Sequence, residues 1–315
     1  MSTSPLRAAL HARTTSPASP TRRLTRRLLQ VAIGVTAVSL TAMATPTTAG
    51  AAAPRMIIGA DGDAAGLAKT IGAPLAYHGY GSMGGKPPSG VMVNMKPNVS
   101  WHTVATAGSS TTTYKNIVRW AQTLKSRPGP ILFAFHHEPE GSGSTSFGTA
   151  SDYIAAFRRV EDIFKAQGVR NVEYTWQMTS WAFATKSSAR NYAAKWYPGD
   201  AYVTNVGTDP YNWYNCGPGS GKWQSLQFVM DPSLTFARAH GKKLVVGEFA
   251  SQSDSRRASW LKDVKAYFVA NRDTIRAVFY FQHLIRPGCH WLLQSPADLS
   301  AMASIAKDTT NFTAG

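Results

Sequence analysis

ILFAFH (131–136), ASDYIAAFRRVEDIFKAQ (150–167) and NVEYTWQ (171–177) follow one another along the chain, and reading these three stretches decides the fold. The first and third are short runs of apolar, β-branched and aromatic residues, the pattern of buried strands. In the middle stretch Ile154, Phe157, Val160, Ile163 and Phe164 recur at helical spacing, and Gly168 stands where a helix would stop. A helix of this length between two strands returns the chain to the end from which it started, so the strands pair in parallel.

Outward from this unit the alternation repeats. Strands are expected at 56–60 (MIIGA), 74–78 (PLAYH), 91–95 (VMVNM), 201–206 (AYVTNV), 243–248 (KLVVGE) and 276–282 (RAVFYFQ), and helices at 112–126, 187–196, 222–240, 254–270 and 297–308. The connections 62–72 and 79–90 are short or glycine-rich and read as poorly helical. Eight strands in a domain of about 260 residues predict an α/β fold, a single (β/α)₈ TIM barrel. An open doubly wound sheet would ordinarily place a glycine-rich nucleotide turn after its first strand. The GADGDAAG of residues 59–66 lacks the GxGxxG spacing.

Ahead of the first strand lies a segment of a different kind. Arg22, Arg23, Arg26 and Arg27 precede the apolar run Leu28 to Leu40, and a tract of small residues follows at 48–53. That order predicts an export signal over residues 1–51, with a disordered leader at its start, and a catalytic barrel over 52–315. The apolar run is shorter than the roughly 20 residues that span a bilayer, so the expected product is secreted and extracellular, with no integral membrane segment after signal removal. The paired arginines leave both general and twin-arginine export open. In an exported chain the only two cysteines, Cys216 and Cys289, are expected to form one disulfide.

The net charge of +16 falls to about +10 once six leader arginines are removed, and what remains is scattered in short pairs. A nucleic-acid binder would gather it into a run or a basic helix, so no nucleic-acid partner is expected. A monomer is expected.

In a parallel barrel every strand delivers its last residues to one rim. There the polar residues collect: Asp61, His78, His136 to Glu140, Gln177, Asp209, Glu248 and Gln282. In HHEPEG (136–141) a buried strand runs straight into Glu138, and in VVGEFA (245–250) Glu248 stands alone at an apolar strand end. Two carboxylates on strands four and seven are what glycosidic cleavage requires, one to protonate the leaving oxygen and one to meet the developing cation. Rim indoles would stack on the C–H faces of sugars, which selects Trp176, Trp213 and Trp291 as subsite residues. Trp223 and Trp260, in helical segments, read as core. Asp61, His78 and Gln282 are rim polars that either face substrate or bind backbone, and the same choice stands for Asp209 and Glu140. His136 should point away from His137 if the pleat persists, as a satisfied interior histidine. HHEPE lacks the i, i+4 histidines of a helical zinc site, so neither metal nor cofactor is expected.

With GTDPYNWY (207–214) at the sixth strand, these motifs resemble the retaining (β/α)₈ glycosidase clan, and within it glycoside hydrolase family 26, which contains endo-β-1,4-mannanases and some β-glucanases and β-xylanases. The resemblance implies that Glu138 is the acid/base, that Glu248 is the nucleophile, that Tyr211 hydrogen-bonds the nucleophile and that His137 lines the subsite beside the scissile bond. It implies a secreted endo-β-glycosidase acting on a β-1,4-linked polysaccharide, mannan first, with β-glucan or xylan as the alternative. The chain departs from the family in having Phe133-Ala134-Phe135-His136 where an Arg-Pro pair is common. It also has Pro139-Glu140-Gly141 where many mannanases have Met-Asn-Gly, which weakens the mannan assignment. A non-catalytic carbohydrate-binding barrel is the rival from another class, but it has no need of both glutamates. An esterase or deacetylase would want a GxSxG elbow or a metal cluster, and neither motif is present.

Overall fold

The computed structural model of the chain describes residues 54–219, 221–284 and 288–315. The expected export segment lies outside them. Eight strands, β1 (Met56–Ala60), β2 (Ala76–Ser82), β3 (Met92–Lys96), β4 (Ile131–Phe135), β5 (Val172–Thr179), β6 (Asn205–Asp209), β7 (Lys243–Ser251) and β8 (Ile275–Tyr280), pair in parallel in chain order. β8 then pairs with β1, from Ile57 opposite Ala277 to Ala60 opposite Tyr280, and the barrel closes. Closure leaves no exposed edge among these strands.

Eight α-helices surround it: α1 (Ala64–Ile71), α2 (Trp101–Ala105), α3 (Thr112–Lys125), α4 (Ala150–Ala166), α5 (Ser180–Ala184), α6 (Leu226–Ala239), α7 (Arg257–Ala270) and α8 (Pro296–Ala306). α4 shows why such a sequence helixes. Thr149 and Asp152 form a reciprocal capping box at its start, and Tyr153, Ala156, Phe157, Val160, Ile163 and Phe164 form the buried stripe laid against the barrel. The barrel interior is filled by a small apolar layer that includes Leu132, Val245 and Phe279, while the larger apolar layer lies between strands and helices.

Three departures from the sequence reading have local causes. Residues 64–71 are helical because Asp63 caps the start, accepting from the Gly66 N–H, and Gly72 adopts the left-handed conformation at the end. The expected helix at 187–196 is absent. Its place is taken by the short α5 and a 3-10 turn at Ala193–Trp196. β2 runs four residues past His78 through glycine-rich sequence, to Ser82. Among the described residues no helix is long and apolar enough to cross a membrane.

β7 is irregular where it matters. Its pairing with β8 shifts register between Val246 and Phe249, which brackets Gly247 and Glu248. Such a shift re-aims the side chain at the rim. Gly247 makes room for the Gln177 amide: a Cβ there would lie 2.2 Å from the Gln177 side-chain nitrogen across the barrel and would have to displace it from Asp209.

Candidate active site

The chain leaves β4 through two residues with left-handed backbone, His136 (φ 45°) and Glu138 (φ 49°). Such conformations are rare for residues with a Cβ and persist only where the surroundings over-determine them. Here the surroundings do. The His136 N–H donates to the Met95 carbonyl at 3.0 Å, and the Glu138 N–H donates to the Gln177 carbonyl at 3.0 Å. The Trp101 indole donates to His136 Nδ1 at 2.8 Å, so the ring proton sits on Nε2, 3.4 Å from Ser144 Oγ. The Ser144 hydroxyl in turn donates to the Glu138 carbonyl at 3.3 Å. His136 is thus an interior spacer that fixes the Glu138 loop. Burial, with lesser repulsion from His137 and Lys96, lowers its pKa to about 3 and keeps it neutral.

Glu138 and Glu248 line one cavity of about 330 Å³ at the rim, together with Tyr80, Lys96, His137 and Tyr211. Glu248 is 6% exposed. Its Oε2 accepts from the Tyr211 hydroxyl at 2.5 Å and its Oε1 from the Tyr80 hydroxyl. Each oxygen therefore has its own phenol donor. Burial and the charge of Glu248 hold both phenols well above their ordinary pKa, so they remain donors. His137 Nε2 is 3.8 Å from Glu248 Oε1, beyond hydrogen-bond range. Burial, then Lys96, lowers His137 to about 3, so a neutral imidazole faces the cavity.

Beneath the two glutamates lies a layer of neutralised polar groups. Asp61 is fully buried; Oδ1 accepts from the Gln282 N–H at 2.9 Å, while Oδ2 lies 3.5 Å from the Tyr80 hydroxyl and from His283 Nε2. Burial, then the charge of Glu248, raises its pKa to about 9. Asp209 is likewise raised by burial, Glu248 and Glu138, and both its oxygens face the amide nitrogen of Gln177, Oδ1 at 2.8 Å and Oδ2 at 2.9 Å. His78 Nδ1 donates to the Gly247 carbonyl at 3.0 Å, which fixes the backbone under Glu248. Burial lowers this histidine to about 4.

The remaining expectations divide by depth. Trp213 and Trp291 do line the cavity, their rings 5.2 Å apart and nearly perpendicular. The Cys216–Cys289 disulfide joins the loops that carry them, with 5.4 Å between Cα atoms. Trp176 does not reach the site. It is fully buried outside the barrel against Phe183, Tyr197 and Phe236, because Gln177 beside it points inward and neighbours on a strand alternate. Nor do His78, Asp209 and Gln282 line the cavity. Gln282 braces it, its Oε1 accepting from the Leu293 N–H at 3.1 Å. Glu140 is fully buried and accepts from the Thr179 N–H and hydroxyl at 2.8 and 2.5 Å, tying the end of β4 to the end of β5. Trp260 is core, while Trp223 is half-buried under the Arg256 guanidinium, 4.3 Å from its ring centre.

Tyr80, Lys96 and Phe281 were not singled out by sequence. Lys96 ends β3 and places its ammonium 4.8 Å from the Tyr80 ring centre. The available signal for Tyr80 was its position two residues beyond His78, on the same face if the strand continued. Among the described residues no group of three or more His, Cys, Asp or Glu side chains is arranged to hold a metal ion.

Residues 98–277 match the model of Glycosyl hydrolase family 26. Endoglucanase H of Acetivibrio thermocellus is 28% identical over 173 residues, which are 52% of this chain and 19% of that protein, so the chain spans about a fifth of its length. Among solved structures, a family 26 β-mannanase from Bacteroides ovatus superposes with a TM-score of 0.56 at 16% identity, over 82% of this chain and 90% of that one. An endo-β-1,4-mannanase double mutant from Cellulomonas fimi gives 0.51 at 19% identity, over 70% and 54%. At these identities the structural likeness is one of fold.

Proposed function

The chain belongs to glycosyl hydrolase family 26, and from that premise we propose that it is a secreted retaining endo-β-glycosidase of a β-1,4-linked polysaccharide, with Glu248 as nucleophile and Glu138 as acid/base. The observation that carries this reading is the carboxylate of Glu248, clamped by Tyr80 and Tyr211 in the same cavity as Glu138. Two hydroxyl donors hold it in one orientation, which is what an in-line attack on carbon needs. Glu248 attacks the anomeric carbon as protonated Glu138 gives its proton to the departing oxygen. The charge that develops resembles an oxocarbenium ion. Water then adds at the same carbon, losing its proton to the ionised Glu138 and displacing Glu248, so two inversions give retention. Trp213 forms the apolar wall on which a sugar face would stack, with the buried Trp291 ring packed edge-to-face against it.

Mannan is the leading substrate, in keeping with the names of the two similar structures, and β-glucan stands next because a relative in sequence is named an endoglucanase. The test is hydrolysis of mannan, β-glucan and xylan by the purified protein, with the anomeric configuration of the first product read by NMR. Glu248→Ala should lose at least about 10⁴-fold in kcat with the fold intact, while Glu138→Ala should keep more activity on aryl glycosides with good leaving groups. Inverted product, or near-normal turnover by Glu248→Ala, refutes the mechanism. Protein recovered from the medium with a new N-terminus near residue 51 would support export, and full-length protein retained in the cell would refute it.

A further inference from the structure

Beside the catalytic cavity lies a second depression of about 530 Å³, and Tyr211 and Trp213 belong to the walls of both. Its remaining surface is mostly apolar. Trp181, at the start of α5, is 52% exposed, and Phe228, in the first turn of α6, is 67% exposed. Only three large apolar side chains are more than half exposed among the described residues, and two of them meet here. Exposed aromatic side chains cost solvation free energy, and a contiguous group of them beside a site marks a surface that something covers.

We propose that this aromatic shelf binds further glycosyl residues of the same polysaccharide chain whose scissile bond lies between Glu138 and Glu248. The proposal rests on the glycosidase reading above and adds the place where the substrate continues. Continuity selects this occupant. A chain leaving the catalytic cavity past Trp213 is already in contact with the wall of the shelf. A pyranose presents its C–H face to the indole of Trp181 and the ring of Phe228, and its equatorial hydroxyls stay in water. Gln224 is among the few polar residues of the lining, so the shelf grips faces rather than reading individual hydroxyls. It should therefore favour long chains over short ones and discriminate weakly among mannan, glucan and xylan backbones.

The test is binding of β-1,4-linked trisaccharides and hexasaccharides of mannose, glucose and xylose to the Glu248→Ala protein, by calorimetry. At least one hexasaccharide is expected to bind about tenfold more tightly than its trisaccharide, as one to two good stacking contacts would give. Trp181→Ala with Phe228→Ala should bring the hexasaccharide down by the same factor. The single substitutions, each expected to remove part of the gap, decide the matter should the pair fail to fold. Equal binding of the two lengths overturns the proposal, as does a length effect that survives the substitutions, or no binding of any hexasaccharide. A wild-type dimer that the double substitution returns to monomer would also overturn it, by assigning the shelf to a second copy. The parallel wild-type assay separates the two readings. Length-dependent binding lost with Trp181 and Phe228 but without any cleavage supports the shelf and refutes the hydrolase, whereas cleavage with length-independent binding does the reverse.

Discussion

Glu248 receives one hydroxyl on each oxygen, from Tyr211 and from Tyr80, and the two donors are not equivalent. Tyr211 packs against Trp213, Trp291 and Phe281, in the wall of the cavity. Tyr80 stands over the buried layer, with its hydroxyl 3.5 Å from Asp61 and 3.3 Å from His78 Nδ1. Because the His78 Nδ1 proton is committed to the Gly247 carbonyl, the single phenol proton of Tyr80 is free to go to Glu248. A hydrogen bond to a charged carboxylate is worth about 1.5–3 kcal/mol. Tyr80→Phe and Tyr211→Phe are therefore each expected to lower kcat by about 10- to 100-fold, and steady-state kinetics on the polysaccharide would measure it. Tyr211→Phe should raise KM as well, through the aromatic wall it shares. An unchanged kcat in Tyr80→Phe would reduce that residue to packing. Both glutamates were legible in sequence because a charge ending an apolar strand has few structural uses. Tyr80 was not, because GYGSMGG (79–85) has the composition of a loop, and only cross-strand pairing with Met95 and Lys96 extends β2 through it.

Among elements, the strands were legible because a buried parallel strand must be an apolar run, and all eight lie within a few residues of where the sequence puts them. What composition cannot show is which way a residue at a strand end points. Trp176 and Gln177 are neighbours, and the pleat sends the polar one inward to Asp209 and the indole outward. The helix α1 was hidden for a similar reason, since its ends are made by Asp63 and Gly72 rather than by apolar periodicity. The loops after β6 and β8 are tied by the disulfide, which closes 73 residues of sequence. Replacing both cysteines by serine should cost up to about 4 kcal/mol in the unfolded-chain account. For a domain of this size that lowers the thermal midpoint by about 2–4 °C per kcal/mol. The bridge holds the loops of Trp213 and Trp291, whereas the glutamates sit on strand ends. The paired substitution should accordingly raise KM more than it lowers kcat. A fall in kcat at constant KM would mean that the bridge positions the carboxylates instead.

For the whole molecule, the buried polar layer makes stability depend on pH in two opposed ways. His78, His136 and His137 have folded pKa values of about 4, 3 and 3, below the ordinary 6.5. The unfolded chain binds more protons than the folded one over that span, so their contribution rises with pH and is complete about one unit above 6.5. Asp61 and Glu140 have folded values of about 9 and 7, above the ordinary 3.8 and 4.5, with burial the largest cause in both. Their contribution is fully present below the unfolded values and is lost as pH rises through the folded ones. Between about pH 4.5 and 6.5 the two sets oppose each other. From about pH 7.5 to 9 the histidines contribute little slope, and Asp61 remains, together with Asp209, whose carboxyl burial also raises. The thermal midpoint should therefore fall over that interval, with Asp61 contributing up to about 2 kcal/mol. Asp61→Asn keeps an oxygen to accept from the Gln282 N–H and removes the ionisation. It should flatten part of the alkaline decline and raise the midpoint at pH 9 relative to wild type, as thermal melts across pH 6–9 would measure. An identical slope in the two proteins would mean that Asp61 ionises in the folded barrel as readily as in the unfolded chain, and that the layer beneath Glu248 is charged rather than neutral.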